Sequence, residues 1–537
     1  MRMTLFIGLI LMVSTWTSEA LSSADTTQSL PTTTTTTNNK NNLGNTLDDH
    51  APPSLQFPTR VPVAIVGGGL GGLAVCVALR SQGIDAHIFE SSPALVGRGS
   101  TGTGIMISTN GWKALESIAG GDDRNDSRLV EEMQSFGSDI TNQTIYKSDP
   151  SGVIEKSISI GASGQYNVGW TRAHEVLLGN VPPEVIHCGC HFESYQSAED
   201  SDTNPNKNTV DICFQDGRTV RSSLLIGADG AGSAIRRFMA NKNAKTKEAA
   251  ASSYETKYSG QLLWNAMLPT RDINPTGKDI HGTGEVKYTL CGNDGQVILA
   301  FDAGENQTSW YLTLMEDAIH NTDNSQFTQL RTALQDGTFG GFGRTGIRAQ
   351  LEQIFAPWPI AVQCLQATPE HQIFERRLAD RPTLMQWADT SQSGGYSRVV
   401  LMGDAAHPMI PSQGQGTMMS WEDAADLAAC VGPYVLLEEK GGGDVGGKKG
   451  GRLSTAVGDY VARRAKRCAR VQRWSAKAYM GNKLPISRPK KILRMLWLKR
   501  NMDDVKDGYE PKKIMPVSEN RITKRSRLLK LFGLFRK

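Results

Sequence analysis

Apolar and polar positions change rhythm several times along the chain. Val61–Val66 (VPVAIV) is a short, β-branched apolar run, the pattern of a strand buried on both faces. A glycine-rich turn follows at Gly67–Gly72, then a helical stretch from Leu73 to Arg80, then a second strand from Ile84 to Phe89 that ends on Glu90. Two later apolar runs also break into turns of small residues. Leu224–Ile226 leads into Gly227-Ala-Asp229-Gly230, and Val399–Met402 leads into Gly403-Asp404. Between about Ala240 and Trp387 the pattern alternates, in Tyr258–Met267, Glu285–Leu290, Gln296–Phe301 and Trp310–Leu314, and predicts an antiparallel sheet. Ala198–Thr209 reads as a surface loop, and Gly441–Gly451 as a flexible insertion between two helical segments. No repeat recurs, and no segment beyond the N-terminus is apolar for long enough to span a bilayer.

The two ends differ from this body. A positive start, the apolar run Leu5–Val13 and Ser18-Glu19-Ala20 fit a secretory signal cleaved near Ala20, with an uncleaved anchor as the alternative. Residues 21–60, with six consecutive threonines at Thr32–Thr37, cannot bury apolar surface and predict a disordered linker. Their Ser/Thr richness also suits the second half of a bipartite import signal, so the destination stays open among endomembrane, secretion and an organelle. The net charge of +4 hides an asymmetry: from Arg463 onward there are 24 Lys and Arg against 5 Asp and Glu, and before it 34 against 49. An acidic body carries a basic tail. With 537 residues, 39% hydrophobic, there is core enough for two or three domains or one interleaved enzyme. Eight cysteines in this length exclude a disulfide-stapled scaffold.

The first turn carries the most specific chemistry. Gly67, Gly69 and Gly72 make a G-x-G-x-x-G, with Leu70 inside it. Glycines let the backbone approach a pyrophosphate, and the helix N-terminus that follows offers N–H groups and partial positive charge. Glu90, with Ser91 beside it, lies 23 positions after Gly67, near the offset of about 20 at which an acid binds ribose hydroxyls. An acid there favours an unphosphorylated ribose, hence FAD or NAD rather than NADP. Asp229 taken alone reads as a helix cap. No H-E-x-x-H occurs, and Cys188-Gly-Cys190 lacks a second ligand pair, so no metal site is expected.

Together, the glycine fingerprint, the Asp229-Gly230 motif and Gly403-Asp404-Ala405-Ala406-His407-Pro408 resemble the class A FAD-dependent monooxygenases, the p-hydroxybenzoate hydroxylase-like family, in its salicylate hydroxylase, urate hydroxylase and zeaxanthin epoxidase branch. The resemblance covers about Val61–Tyr479. It implies an α/β fold in which a Rossmann-like FAD-binding domain, 61–240 and 388–480, is interleaved with an antiparallel-sheet substrate domain, 241–387, and followed by a basic tail, 481–537. It further implies that Asp404 bonds the ribityl chain and that Asp229 and Gly230 sit near the pyrophosphate and the passing nicotinamide. Arg172 would reach the cofactor from the start of a helix. Pro411 would flank the ring, and Gly414, Gln415 and Gly416 would aim N–H groups at its anionic edge. His407 is expected to pack or hydrogen-bond beside that loop.

The implied activity is NAD(P)H- and O2-dependent hydroxylation or epoxidation of a small aromatic or alkene substrate through a flavin hydroperoxide. Trp264, Tyr288, Phe301 and Trp310 are candidate substrate aromatics, against a role in the core. No substrate base is assigned; His281 and Tyr288 are the candidates. The alternatives are a flavin-dependent reductase or halogenase on the same fold, although W-x-W-x-I-P is absent, or a non-catalytic flavin protein tethered to a membrane. Arg527–Lys537 mixes apolar and basic residues at helical spacing, which suits a membrane surface, with a solvated terminus as the alternative. Nucleic acid is not an expected partner, because no recognition fold accompanies the charge. Asn125, Asn142 and Asn306 head glycosylation sequons.

Overall fold

The computed structural model describes residues 57–95, 103–120, 127–161, 164–197, 209–244, 246–273, 280–291, 296–320, 324–390, 398–439, 452–480 and 504–512. The signal, the linker to residue 56, Asn125, most of the 198–209 loop, the glycine-rich insertion and the tail from 513 lie outside them.

Three sheets organise the chain. The first has seven strands, and its centre is parallel: Ala86–Phe89, Arg60–Val66, Thr219–Gly227 and Val399–Leu401. Its register aligns the strand ends. Val66 sits opposite both Phe89 and Gly227, and Gly227 opposite Leu401. The turns carrying Gly67–Gly72, Glu90, Asp229 and Asp404 therefore all leave one carboxyl edge, the place where open parallel sheets bind ligands. These strands are apolar on both faces because helices cover both. Leu70–Arg80 and the long helices Gly416–Glu439 and Arg452–Met480 join them in one buried cluster.

The second sheet has eight strands, in the order Gly341–Phe342, Phe374–Asp380, Lys257–Pro269, Gln307–Met315, Gln296–Asp302, Glu285–Cys291, Asn142–Ser148 and Ile154–Gly161. Its last two strands come from well before residue 241, so the substrate-domain sheet draws on the first half of the chain. A third sheet, Gly104–Ile107, Tyr166–Gly169 and Ser138–Asp139, lies between the two.

Period-two alternation separates the two faces of the large sheet. Leu262, Trp264, Ala266, Leu268, Trp310, Leu312 and Leu314 pack into one cluster with the helices Thr328–Asp336, Ile347–Ile354 and Pro359–Ala367. Leu263, Met267, Tyr288, Leu299, Phe301 and Tyr311 form another with Met106 and Ile140. Of the four candidate aromatics, Trp264 and Trp310 are therefore core: their indole N–H groups donate to Glu375 Oε2 and Thr368 Oγ1, each at 3.0 Å. Tyr288 and Phe301 face the other way. His281 belongs with the helix-covered side, its ring nitrogens bonded to Thr308 Oγ1 at 2.8 Å and the Gly282 carbonyl at 3.1 Å. That placement removes it as a substrate base.

Glu375 is fully buried, and its carboxylate is matched by Arg344 Nε at 2.6 Å and Nη2 at 3.1 Å, by the Gly340 N–H at 3.2 Å and by Trp264. Removing one partner of such a pair costs more than removing both. Arg344→Met is expected to destabilise the protein by about 3 kcal/mol, and the double variant Arg344→Met/Glu375→Gln to recover part of that loss. Thermal or urea unfolding of both variants checks this; equal losses would show that the stranded charge is not the cause.

Candidate cofactor and active site

The glycine turn is built by close backbone approach. Gly67 has φ +107°, and a Cβ there would lie 2.4 Å from the Ala228 carbonyl oxygen. A Cβ on Gly72 would lie 1.9 Å from the Gly67 carbonyl oxygen, and one on Gly71 2.2 Å from Ser420 Oγ. The helix begins at Leu70, earlier than the apolar pattern suggests, because its first turn can take in Gly71 and Gly72 where side chains would collide. Gly69 caps it without a side-chain hydrogen bond, and no acid stands in its first turn. A phosphate would supply the missing negative partner. Glu90, buried at the next strand end, accepts from the N–H of Gly68 at 2.7 Å and of Ser92 at 2.9 Å, and from the Ser91 hydroxyl at 3.2 Å. His174 Nε2 bonds the Gly68 carbonyl at 2.8 Å and stacks on Trp170 with centroids 4.9 Å apart.

The three turns meet around one cavity. Its walls are Gly69–Gly71 from the first turn, Ala228 and Gly230 from the second, and Met402–Asp404 from the third. Trp170, Thr417 and Ser420 complete it. Gly230 thus lines the cavity, whereas its neighbour Asp229 turns inward. The Asp229 carboxylate accepts from Ser233 Oγ at 2.6 Å and the Ile235 N–H at 3.1 Å, and burial pushes its carboxyl above the ordinary range against those bonds. It caps a helix. Asp404 faces the cavity. Pro411 and Gly414, the latter at φ +61°, are buried in the loop that leads to the helix at Gly416. Gln415 points away from the cavity, its amide bonded to Ser108 Oγ at 3.1 Å and Asn110 Nδ2 at 3.0 Å. Arg172 is half-exposed and paired with Glu305 at 2.7 Å and Glu175 at 2.6 Å; it is not among the residues that line the cavity.

The Gly403–His407 turn is fixed from behind. Asp423, fully buried, accepts from the Gly403 N–H at 2.9 Å, His407 Nε2 at 2.5 Å and Arg464 Nε at 2.7 Å. Arg236, also buried, donates to the carbonyls of Ala406 and Pro382, each at 3.2 Å, and burial pushes its guanidinium down to about 10. Burial works against charge on both His407 and Asp423. Cys468 and Asp423 nevertheless raise His407 well above the ordinary imidazole value, and His407 with Arg464 lowers Asp423. His407, Asp423 and Cys468 are close enough to ligate a metal, yet Arg464 already occupies Asp423 and approaches Cys468 Sγ at 3.4 Å, so the donor set is that of an ion-pair network.

The cavity suits the adenine dinucleotide that the sequence motifs imply. It has an uncapped helix start, backbone walls that no Cβ could occupy, and a buried hydroxyl, Thr417 Oγ1, that finds no hydrogen-bond partner among the described residues. Sequence reasoning did not single out Thr417, Ser420, Met402 or Trp170 for this wall. Thr417 carries the one available signal: a polar residue in a helix whose next fifteen positions are all buried.

The FAD-binding-domain family matches residues 359–433. The chain is 28% identical over 374 residues to the aurachin C monooxygenase/isomerase of Stigmatella aurantiaca, covering 70% of this chain and 81% of that protein. It is 25% identical to the 6-hydroxynicotinate 3-monooxygenase of Bordetella bronchiseptica, covering 77% and 90%, and 26% identical to the chloroplastic zeaxanthin epoxidase of Prunus armeniaca, covering 70% and 49%. The chain thus spans about half the length of that epoxidase. Among solved structures it is similar to Klebsiella pneumoniae HpxO complexed with FAD and uric acid, with a TM-score of 0.59, 18% identity and coverage of 84% and 98%. The fold is therefore the p-hydroxybenzoate hydroxylase-like one.

The network makes a pH prediction. A raised folded pKa means that the stability His407 contributes is complete below its unfolded value of about 6.5 and is lost as pH rises through the folded value. The melting-temperature gap between wild type and His407→Gln should be widest near pH 6 and narrow in alkaline solution. A gap that stays constant with pH would show that His407 is not charged in the folded protein.

Proposed function

We propose that this chain, which belongs to the class A FAD-dependent monooxygenases, uses NAD(P)H and O2 to insert one oxygen atom into a small aromatic or alkene substrate. The observation that carries the reading is the convergence of three turns, spread over more than 300 residues of sequence, on one cavity with a hydroxyl in its wall that is orphaned among the described residues. Bound FAD would supply the electron transfer and oxygen activation. The chain's own residues hold it and keep the site dry.

Gly69–Gly71 and the helix start would carry the pyrophosphate, Glu90 the ribose end, and Asp404 and Thr417 the chain nearer the ring. Asp423, His407 and Arg236 fix the loop from which Pro411, Gly414 and Gly416 present their backbone. His407 is buried on Asp423 and is a positioning residue rather than a proton donor to substrate. Tyr288 is held protonated, because burial raises its phenol far above neutral pH. It can donate a hydrogen bond but cannot serve as a base.

The same reading treats Met1–Ala20 as a signal for the secretory pathway and the basic C-terminal segment as a contact for anionic lipid. Deleting Arg521 onward should reduce co-sedimentation with vesicles containing phosphatidylserine; unchanged sedimentation would remove that contact.

The activity is tested with labelled oxygen. In the presence of NAD(P)H, 18O2 and a panel of phenols, N-heterocycles and polyenes, one substrate should accelerate NAD(P)H oxidation and leave as a product one labelled oxygen heavier. Turnover that yields product without label would reject oxygenation.

A further inference from the structure

The surface of the eight-stranded sheet opposite its helices carries, besides the small hydroxyls of Ser309 and Thr313, a group of large buried polar side chains that the flavin cradle does not use. Strand pairing lays four of its residues in a row: Asn265 opposite Tyr311, Tyr311 opposite Leu299, and Leu299 opposite Tyr288. Paired residues share a face, and strands lie about 4.8 Å apart, so the row from Asn265 to Tyr288 is about 14 Å long. Arg376 sits one step along, opposite Leu263, and Gln261 opposite Leu378. The five polar residues, Asn265, Tyr311, Tyr288, Arg376 and Gln261, are all buried, among Leu263, Met267, Leu299 and Phe301.

This face adjoins the cradle on two sides. Met315, opposite Gln261, packs on Ile410, the residue before Pro411. Met267, two residues from Asn265, lies 3.2 Å from where a Gly169 Cβ would be, next to the cavity residue Trp170.

Asn265 Oδ1, Gln261 Oε1 and Tyr288 Oη have no hydrogen-bond partner among the described residues. Three buried orphans in one apolar patch are unusual, because each forfeits its hydration without a replacement. The guanidinium of Arg376 lies over the Phe374 ring, 5.5 Å from its centroid, and interacts with Tyr311.

We propose that Asn265, Gln261, Tyr288 and Arg376 are specificity-determining residues that select a planar heteroaromatic substrate bearing both an N–H or O–H donor and a carbonyl or hydroxyl acceptor, against hydrocarbon polyenes. The amide oxygens would accept from the ring N–H or O–H and Tyr288, at the far end of the row, would donate to its oxygen, while Arg376, on the strand at the other side of Asn265, would meet a polar group at the near end. A polyene would bury the same face and leave the three orphaned atoms of Asn265, Gln261 and Tyr288 unanswered, the situation in which a site built for hydrogen bonds rejects its analogue most strongly. This inference rests on the monooxygenase reading for the identity of the site and adds its substrate class.

The test is calorimetric titration of the FAD-loaded protein with 4-hydroxy-2-quinolone and with naphthalene, a hydrocarbon of the same outline. The quinolone should bind at least 100-fold tighter. Asn265→Leu and Tyr288→Phe should each weaken the quinolone on the order of 10-fold, one lost hydrogen bond, and leave naphthalene affinity unchanged or improved. Tyr288→Phe keeps the ring and its packing, so it decides the matter even where Asn265→Leu fails to fold. Equal affinity for the two probes, no binding of the quinolone, or variants that weaken both probes alike would overturn the proposal. A protein that purifies colourless and takes up no FAD would instead overturn the monooxygenase reading; the same titration of the flavin-free protein with the two probes would still judge this one.

Discussion

A single buried carboxylate, Asp423, holds the site together. It is the common acceptor for a backbone N–H of the cavity turn, for His407 at the end of that turn, and for Arg464 on the last long helix. The acids and bases around it mirror each other. Glu422, Asp423 and Asp426 lie at the spacing i, i+1, i+4 on one helix, and Arg463, Arg464 and Arg467 at the same spacing on the next. They pair in antiparallel order: Arg467 with Glu422, Arg464 with Asp423, Arg463 with Asp426. Buried charges are tolerated only when their partners are complete, and losing one member costs more than the pair gains over apolar replacements. The network therefore contributes specificity more than raw stability. It permits one register between the two helices, and that register sets where the Gly403–Gly416 loop stands.

The large sheet shows the same division of labour in apolar form. One face is sealed by helices, and its large polar rings are answered: Trp264 by Glu375, Trp310 by Thr368, His281 by Thr308. The other face, toward the flavin domain, keeps Asn265 Oδ1, Gln261 Oε1 and Tyr288 Oη unanswered among the described residues. A fold that satisfies buried groups on one side of a sheet and not on the other is not careless about polar burial. The contrast marks the unanswered face as the one meant to meet something else.

Much of this was legible in the chain itself. Apolar runs that break into glycine turns specified parallel strands ending at one edge, since a strand with no polar side must be covered on both faces. The register that aligns Val66, Gly227 and Leu401 then brings the three turns together. Alternation located the strands of the large sheet, yet it could not tell which of two apolar faces meets helices and which meets the cofactor domain. Trp264 and Trp310 read from sequence like Tyr288 and Phe301 for that reason. Nor could it foresee that Asn142–Ser148 and Ile154–Gly161 would join that sheet, because pairing across more than 130 residues leaves no local signal. Asp229 was legible in both its possible roles, and the structure turns its carboxylate to Ser233, the N-cap, and to the Ile235 N–H, while its neighbours Ala228 and Gly230 line the cavity.

The segment 504–512 shows why the arginine pattern had to be read with the rest of the chain. Tyr509 is buried, its ring lying 5.7 Å from the Arg464 guanidinium and 5.4 Å from that of Arg467. Lys113 donates to the carbonyls of Asp507, at 3.2 Å, and Tyr509, at 3.0 Å, and Arg467 to that of Val505 at 2.6 Å. This strap closes the outer end of the ion network, where water would otherwise compete for Glu422 and loosen every pair behind it. Lys113 in turn belongs to the helix Thr109–Ile118, whose Asn110 bridges Glu422 at 2.8 Å and Gln415 at 3.0 Å. A continuous path of buried hydrogen bonds thus runs from the strap to the residue that opens the helix beneath the cavity. The basic character of this part of the chain is therefore not all outward charge, because Arg463, Arg464 and Arg467 are engaged with Asp426, Asp423 and Glu422.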